Sequence, residues 1–270
     1  MPRCSWADCG RWRPGLLARG GLVMNGDWYC SAECAGRQAS DDVARAAALE
    51  QVRSRALPRL KVGLLLVHHG AVTPVQLREA LAAQQSTGRR LGAELVARGA
   101  TDPAAVVKAL AAQAGVPCLT TLDRSAVRLC PELGAHAVQA LGLVPFAVDQ
   151  ERRAMKVACA APVPRLAVGA LRELTGWHAD VFLVPDEVLP ELVDEYAALA
   201  TEAGADECVV SREAAGPRIA EAASALPGAV VSQARIDPWL WVRVSDGRVG
   251  RNLFVATQED PSWQAVLTSH

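Results

Sequence analysis

The chain has 270 residues and a mass of 28.5 kDa, with 51% apolar residues, 21% charged residues and a net charge of −1. This balance supports a buried core, and it excludes a strongly basic nucleic-acid binder or an acidic tail protein as a description of the whole chain. No apolar run approaches the roughly eighteen residues of a membrane span, and MPRCSWADCGRWRPG lacks the apolar stretch of a signal peptide, so the expectation is a cytoplasmic protein without membrane insertion.

The first predicted element is a cysteine cluster. Cys4-Ser-Trp-Ala-Asp-Cys9 is followed, twenty residues on, by Cys30-Ser-Ala-Glu-Cys34. Two close cysteine pairs at such a distance predict a tetrahedral four-thiolate Zn2+ site, structural because four thiolates close the coordination shell. Asn25-Gly26 between the pairs is a hairpin signal. In a segment too short for its own core, the metal would supply the folding energy. The run YCSAEC resembles the second knuckle of small treble-clef-like zinc fingers, although the first pair is C-x4-C rather than C-x2-C. These residues define an expected zinc-finger-like module over 1–37. The scattered Cys118, Cys130, Cys159 and Cys208 read as packing residues.

A connecting helix is expected over 38–58. Its sequence is Ala-rich, with Val43, Ala47, Leu49 and Val52 near helical spacing, a capped start at Ser40-Asp41-Asp42 and a stop at Pro58. The apolar stripe is thin, which predicts weak packing or a tether.

An internal repeat occupies 61–113, within an expected helical unit over 59–114. Two 24-residue blocks, Lys61–Gln84 and Arg90–Gln113, lie 29 residues apart with a five-residue spacer. They align without gaps: Lys61 with Arg90, Gly63 with Gly92, Leu66 with Leu95, Gly70 with Gly99, Pro74 with Pro103, and Ala82-Ala83-Gln84 with Ala111-Ala112-Gln113. In each block a short helix is closed by Gly70 or Gly99, which can take positive φ. Thr73-Pro74 or Asp102-Pro103 then supplies an N-cap and a first-turn proline. A second helix follows, with Leu77 and Leu81, or Val106 and Leu110, on its inner face.

This doubled pattern resembles the MshEN domain, the N-terminal domain of type II secretion and type IV pilus assembly ATPases. The resemblance extends into the following α/β segment. It implies that the paired motifs bind cyclic di-GMP, one half of the two-fold ligand per motif. The implied ligand residues are Lys61, Val62, Gly63, Leu77, Leu81 and Gln84 from the first motif. The second motif gives Arg90, Leu91, Gly92, Val106, Leu110 and Gln113. The chemistry is consistent with such a guest. Arg90 can fork onto a guanine or a phosphate, the glutamines offer paired donors and acceptors, the aliphatic residues would wall the bases, and the glycines would admit the ligand to the backbone. Lys61 and Val62 stand where the family has Arg and Leu, and Val106 where Leu is usual; Lys keeps the charge without the planar fork.

From 115 to 200, alternating apolar strands and helices predict a small sheet covered by helices. The predicted strands are 116–119, 143–148, 155–160 and 179–184. The predicted helices are 131–141, 165–175 and 185–200. The resemblance implies that this piece docks a secretion or pilus assembly partner. Residues 201–229, rich in Ala, Glu, Gly and Ser, are expected to be a flexible linker. A β-hairpin tail is expected over 230–270, turning at Ser245–Arg248 and docking on the body through Trp239 and Trp241. The fold class is α+β: a four-helix motif-repeat subdomain, a small α/β subdomain, an N-terminal finger and a C-terminal hairpin.

Catalytic signatures are missing. Lys61, Lys108 and Lys156 do not follow a glycine, so there is no P-loop, and neither a His-Glu-x-x-His helix nor a Gly-x-Ser-x-Gly elbow occurs. The expected function is a non-enzymatic sensor or adaptor that binds cyclic di-GMP and contacts a secretion, pilus or signalling partner. Two alternatives remain: a structural interaction module with a degenerate ligand site, and a zinc-finger nucleic-acid binder. The second repeat helix, PVQLREALAAQ, has few donors for base edges.

Overall fold

The computed structural model describes residues 2–12, 21–48, 61–203, 207–226 and 228–257. At the N-terminus, β1 (Leu22–Met24) and β2 (Asp27–Tyr29) pair antiparallel. Asn25 (φ 55°) and Gly26 (φ 81°) both adopt the left-handed conformation that a tight hairpin with right-twisted strands requires. Helix α1 (Ala32–Ala48) follows at once and carries Cys34 in its first turn. The boundary expected at residue 37 therefore does not exist: finger and connecting helix are one element, and the predicted continuation over 49–58 lies outside the described residues.

The repeat forms α2 (Val62–His68), α3 (Pro74–Thr87), α4 (Leu91–Ala97) and α5 (Pro103–Ala114). The local chemistry is as read from the sequence. Gly70 (φ 68°) and Gly99 (φ 66°) follow the first helices. Thr73 caps α3 in a capping box with Gln76, and Asp102 Oδ1 accepts from Ala105 N at 2.6 Å. The repeats then interlock, α2 against α5 and α3 against α4. Equivalent residues meet in the shared core, Leu66 with Leu95 and Ala80 with Ala109, all fully buried.

Next come a short 3-10 turn at Arg124–Ala126, α6 (Ala135–Leu141), β3 (Val144–Asp149), β4 (Ala154–Cys159), α7 (Arg165–Thr175), β5 (His178–Leu183) and α8 (Leu189–Ala203). The sheet order is β3-β4-β5, the first pair antiparallel and the second parallel with α7 as crossover. The strand expected at 116–119 is a single bridge, Cys118 to Leu183. The helix expected from Pro131 starts later, because Pro131 and Glu132 form a turn. The helix expected from Pro185 starts at Leu189, which leaves Asp186 and Glu187 in a loop.

The flexible linker over 201–229 is overturned. Within it lie β6 (Glu207–Val210) and α9 (Arg212–Ala225), the latter capped by Ser211. The hairpin tail is larger than expected: β7 (Val230–Ile236), β8 (Trp239–Ser245) and β9 (Gly250–Ala256) join β6 in a four-stranded sheet of order β6-β9-β8-β7. Residues 258–270 lie outside the described residues. The small residues that suggested a linker serve close packing of α9 on α1. A Cβ added at Gly216 would lie 1.9 Å from Ser40 Oγ and 2.3 Å from the Gly36 carbonyl oxygen. Gly216→Ala is expected to be net destabilising by about 2 kcal/mol, because overpacking of about 3 kcal/mol outweighs the roughly 1 kcal/mol that Ala gains over Gly in a helix. A thermal melt checks this; an unchanged or raised Tm would show that the helices can part cheaply. The thin stripe of α1 is thus tightly packed, with Ala35, Ala39 and Val43 buried.

The four-stranded sheet is covered on both faces. Ile236, Trp239, Trp241 and Phe254 enter the core of the α/β piece, while Leu240, Val242, Val244, Leu253 and Val255 enter the core shared with α1 and α9. Trp241 stacks on Phe254 with ring centroids 5.8 Å apart. The N- and C-terminal segments therefore form one body, with residues 61–203 inserted between them. A polar bridge joins that body to the insert. Buried Arg243 on β8 pairs with Glu132 and donates to Asn252 Oδ1 at 3.0 Å. Asn252 Nδ2 in turn donates to the Glu132 carbonyl at 2.9 Å. Arg153 Nη2 donates to Glu132 Oε1 at 3.2 Å and to the Thr175 carbonyl at 2.7 Å.

Candidate functional site

The largest groove among those described encloses about 1100 Å³ and lies between the second repeat, the α/β piece and the β7–β8 turn. The second motif places all six of its expected ligand residues there: Arg90, Leu91, Gly92, Val106, Leu110 and Gln113. From the first motif only Val62 joins them. The groove is larger than most drug-sized ligand sites, and its walls are mainly aliphatic with a few charged groups.

Arg90 and Lys61 occupy equivalent positions, each the N-cap of a short helix with extended backbone. Arg90 Nη1 donates to the Ala161 carbonyl at 3.1 Å and lies 3.6 Å from Asp186 Oδ2. The Arg90 side chain is 73% exposed and that of Asp186 60%, so this ion pair holds weakly and is readily exchanged for another anion. Arg165, at the start of α7, also lines the groove, and its Nη2 donates to the Ala114 carbonyl at 3.2 Å. Two arginines, from different elements, thus stand over an apolar floor.

The first motif is disposed differently. Lys61 is exposed and is not part of the groove lining. Leu81, expected on an inner face, is 43% exposed. Gln84 Nε2 donates to the Arg89 carbonyl at 2.8 Å, so its side chain is tied to the loop between α3 and α4. Leu77 packs on Gly63, where an added Cβ would lie 2.8 Å from Leu77 Cδ1. The same relation holds in the second repeat, with 2.6 Å from Gly92 to Val106 Cγ1. Both glycines therefore admit the second helix of their own repeat, and of the two only Gly92 also lines the groove. Sequence reading missed Arg165, Asp186, Glu187 and Asp237, which also line the groove. No local motif marks them; the tertiary fold alone brings them there.

The second centre is the cysteine cluster. The Sγ atoms of Cys4, Cys9, Cys30 and Cys34 all lie within 4.8 Å of one another. Cys9 to Cys30 and Cys30 to Cys34 are each 3.6 Å, too long for a disulfide and close to the about 3.8 Å edge of a tetrahedron with metal–sulfur bonds of about 2.3 Å. Two knuckles and the hairpin set this geometry: Cys4 N donates to the Arg11 carbonyl at 2.8 Å, and Cys9 N to the Trp6 carbonyl at 3.1 Å. The donor set and the distances fit a metal ion. In the thiol form, a backbone hydrogen bond at Arg11 draws Cys9 down to about 7, whereas burial pushes Cys30 up to about 12 and raises Cys34 as well. By contrast Cys130 and Cys159 are buried among apolar groups, which pushes their thiols up to about 11 and about 12, as expected of packing residues. Cys208 is exposed, which corrects its expected packing role. Among the described residues no helix is long and apolar enough to cross a membrane.

No protein-family profile matches the chain, and no curated protein does. Among solved structures, the chain is similar to the structure of MshE with cdg, at 29% identity over 51% of this chain and 99% of that one, with a TM-score of 0.41. It is also similar to the N-terminal domain of XpsE in two crystal forms. One is 16% identical over 50% of this chain and 92% of that chain, with a TM-score of 0.34. The other is 19% identical over 55% and 99%, with a TM-score of 0.30. The likeness spans about half of this chain and nearly the whole of each of these domains.

Proposed function

We propose that this chain is a non-enzymatic sensor or adaptor that binds cyclic di-GMP in the groove beside its second repeat. A four-thiolate Zn2+ site at Cys4, Cys9, Cys30 and Cys34 would fasten its N-terminal finger. The observation that carries the ligand reading is the groove itself: Arg90, Arg165 and Gln113 line it together with mainly aliphatic residues. A cyclic dinucleotide brings two anionic phosphates and two flat bases, which suit guanidinium forks and apolar walls respectively. Lys61 and Gln84 would take part only as outlying contacts, since they do not line the groove. Ligand bound between the helical repeat and the α/β piece would bias how the two present a surface to a secretion or pilus partner.

Titration calorimetry tests this on the full chain. Wild type is expected to bind cyclic di-GMP, and Arg90→Ala to weaken binding by roughly tenfold to a hundredfold, as loss of a charge-assisted hydrogen bond does. Absence of binding by wild type at high micromolar ligand would sink the proposal. One observation favours a second reading, a scaffold that keeps the fold without the ligand: most of the first motif lies outside the groove, with Leu77 packed on Gly63 and Gln84 bonded to the loop before α4. The same titration separates the two.

A further inference from the structure

The third wall of the groove comes from the C-terminal sheet. Ile236 and Asp237, at the β7–β8 turn, line it together with the repeat and the α/β piece. Asp237 is held in place: Arg235 Nε donates to its Oδ1 at 2.8 Å, and Arg235 Nη1 donates to the Ala47 carbonyl near the end of α1 at 2.8 Å. A carboxylate fixed in this position opposes the binding of a ligand that offers only phosphates. It suits a ligand that brings hydrogen-bond donors as well as anions. Asp186 is held only by its loose, exposed pair with Arg90 at 3.6 Å. Asp237, among the described residues, is the groove carboxylate fixed by a direct hydrogen bond from a clamped arginine.

We propose that Asp237 reads the donor edge of a guanine in the groove and sets the base preference of the site. Guanine carries N1–H and the exocyclic N2–H2 side by side. An ionised carboxylate is acceptor-only, with about four lone-pair sites, so it can take both donors while keeping its bond from Arg235. Hypoxanthine offers N1–H without the amino group, and adenine presents an acceptor at N1. The proposal rests on the ligand reading above and goes beyond it, because it makes the finger-and-sheet body part of the binding site. Arg235 acts as a positioning residue that ties Asp237 to α1, the helix that carries Cys34.

The test is calorimetry on the full chain with cyclic di-GMP, cyclic di-IMP and cyclic di-AMP, for wild type and Asp237→Asn, with matched thermal melts to confirm folding. Wild type is expected to prefer cyclic di-GMP over cyclic di-IMP by about tenfold or more, the worth of one charge-assisted hydrogen bond. In Asp237→Asn that preference is expected to shrink towards unity. An unchanged preference in the variant overturns the role of Asp237 while leaving the ligand reading intact. Equal binding of cyclic di-GMP and cyclic di-IMP by wild type overturns it too. If wild type binds none of the three, the ligand reading itself falls, and the role of Asp237 with it.

Discussion

Glu132→Ala is expected to destabilise the protein by about 3–5 kcal/mol, the cost of leaving a buried charge without its partner. The charge is that of Arg243, whose side chain is 5% exposed and whose guanidinium faces Glu132. Glu132 also accepts from Arg153, which reaches on to the Thr175 carbonyl and lies over the Trp177 ring at 5.8 Å. Removing one carboxylate therefore unpairs two arginines from different parts of the chain. Asn252 still accepts from Arg243 and from Trp241 Nε1, but a neutral amide does not balance a buried cation. Denaturant unfolding gives the loss directly. A cost below about 1 kcal/mol, typical of an exposed ion pair, would show that water reaches the network. The double variant Glu132→Ala, Arg243→Met is expected to recover part of the loss, because an apolar side chain of similar length needs no counter-charge.

Cys30→Ser is expected to take the metal content of the purified protein from about one zinc per chain to a small fraction of that, as measured by elemental analysis. Structural zinc in small fingers contributes about 10–16 kcal/mol of apparent binding energy at pH 7, so loss of one thiolate removes most of the local fold. The damage should not stay local. Cys30 and Cys34 belong to the same buried cluster as α9 and one face of the four-stranded sheet, so a lower Tm for the whole body is expected. The pH dependence has a definite sign. Burial holds the Cys30 thiol up near 12, and the metal takes only the thiolate, so binding releases protons and affinity falls as pH is lowered. Wild-type protein free of zinc, with an unchanged melt after chelation, would remove the metal centre from this account.

The elements legible in the sequence were those governed by neighbours along the chain. The Asn25-Gly26 turn, the caps at Thr73 and Asp102, the glycine stops at 70 and 99, and the span of α7 each depend on a few adjacent residues. The cysteine spacing belongs with them, because two knuckles of fixed length bring four thiols together. The repeat was equally legible, since alignment of one block on the other needs no coordinates. Composition misled at 201–229, where Ala, Gly and Ser suggested a chain without a core. In α9 those small residues are what allows Gly216 to meet Gly36.

What the sequence by itself determined is the local chemistry: which stretches turn, cap and repeat, and which thiols can share a metal. Only the tertiary structure decided the use made of that chemistry. Equivalent repeat positions met different surroundings, so Gln113 came to line the groove while Gln84 bonded the loop before α4. Asp237 reached that groove from the far end of the chain because β7 and α7 pack together, with Ile236 and Leu171 in one core. The physical reason is that a groove between separate elements is set by long-range burial, which depends on which apolar faces find each other and leaves no periodic trace in the sequence.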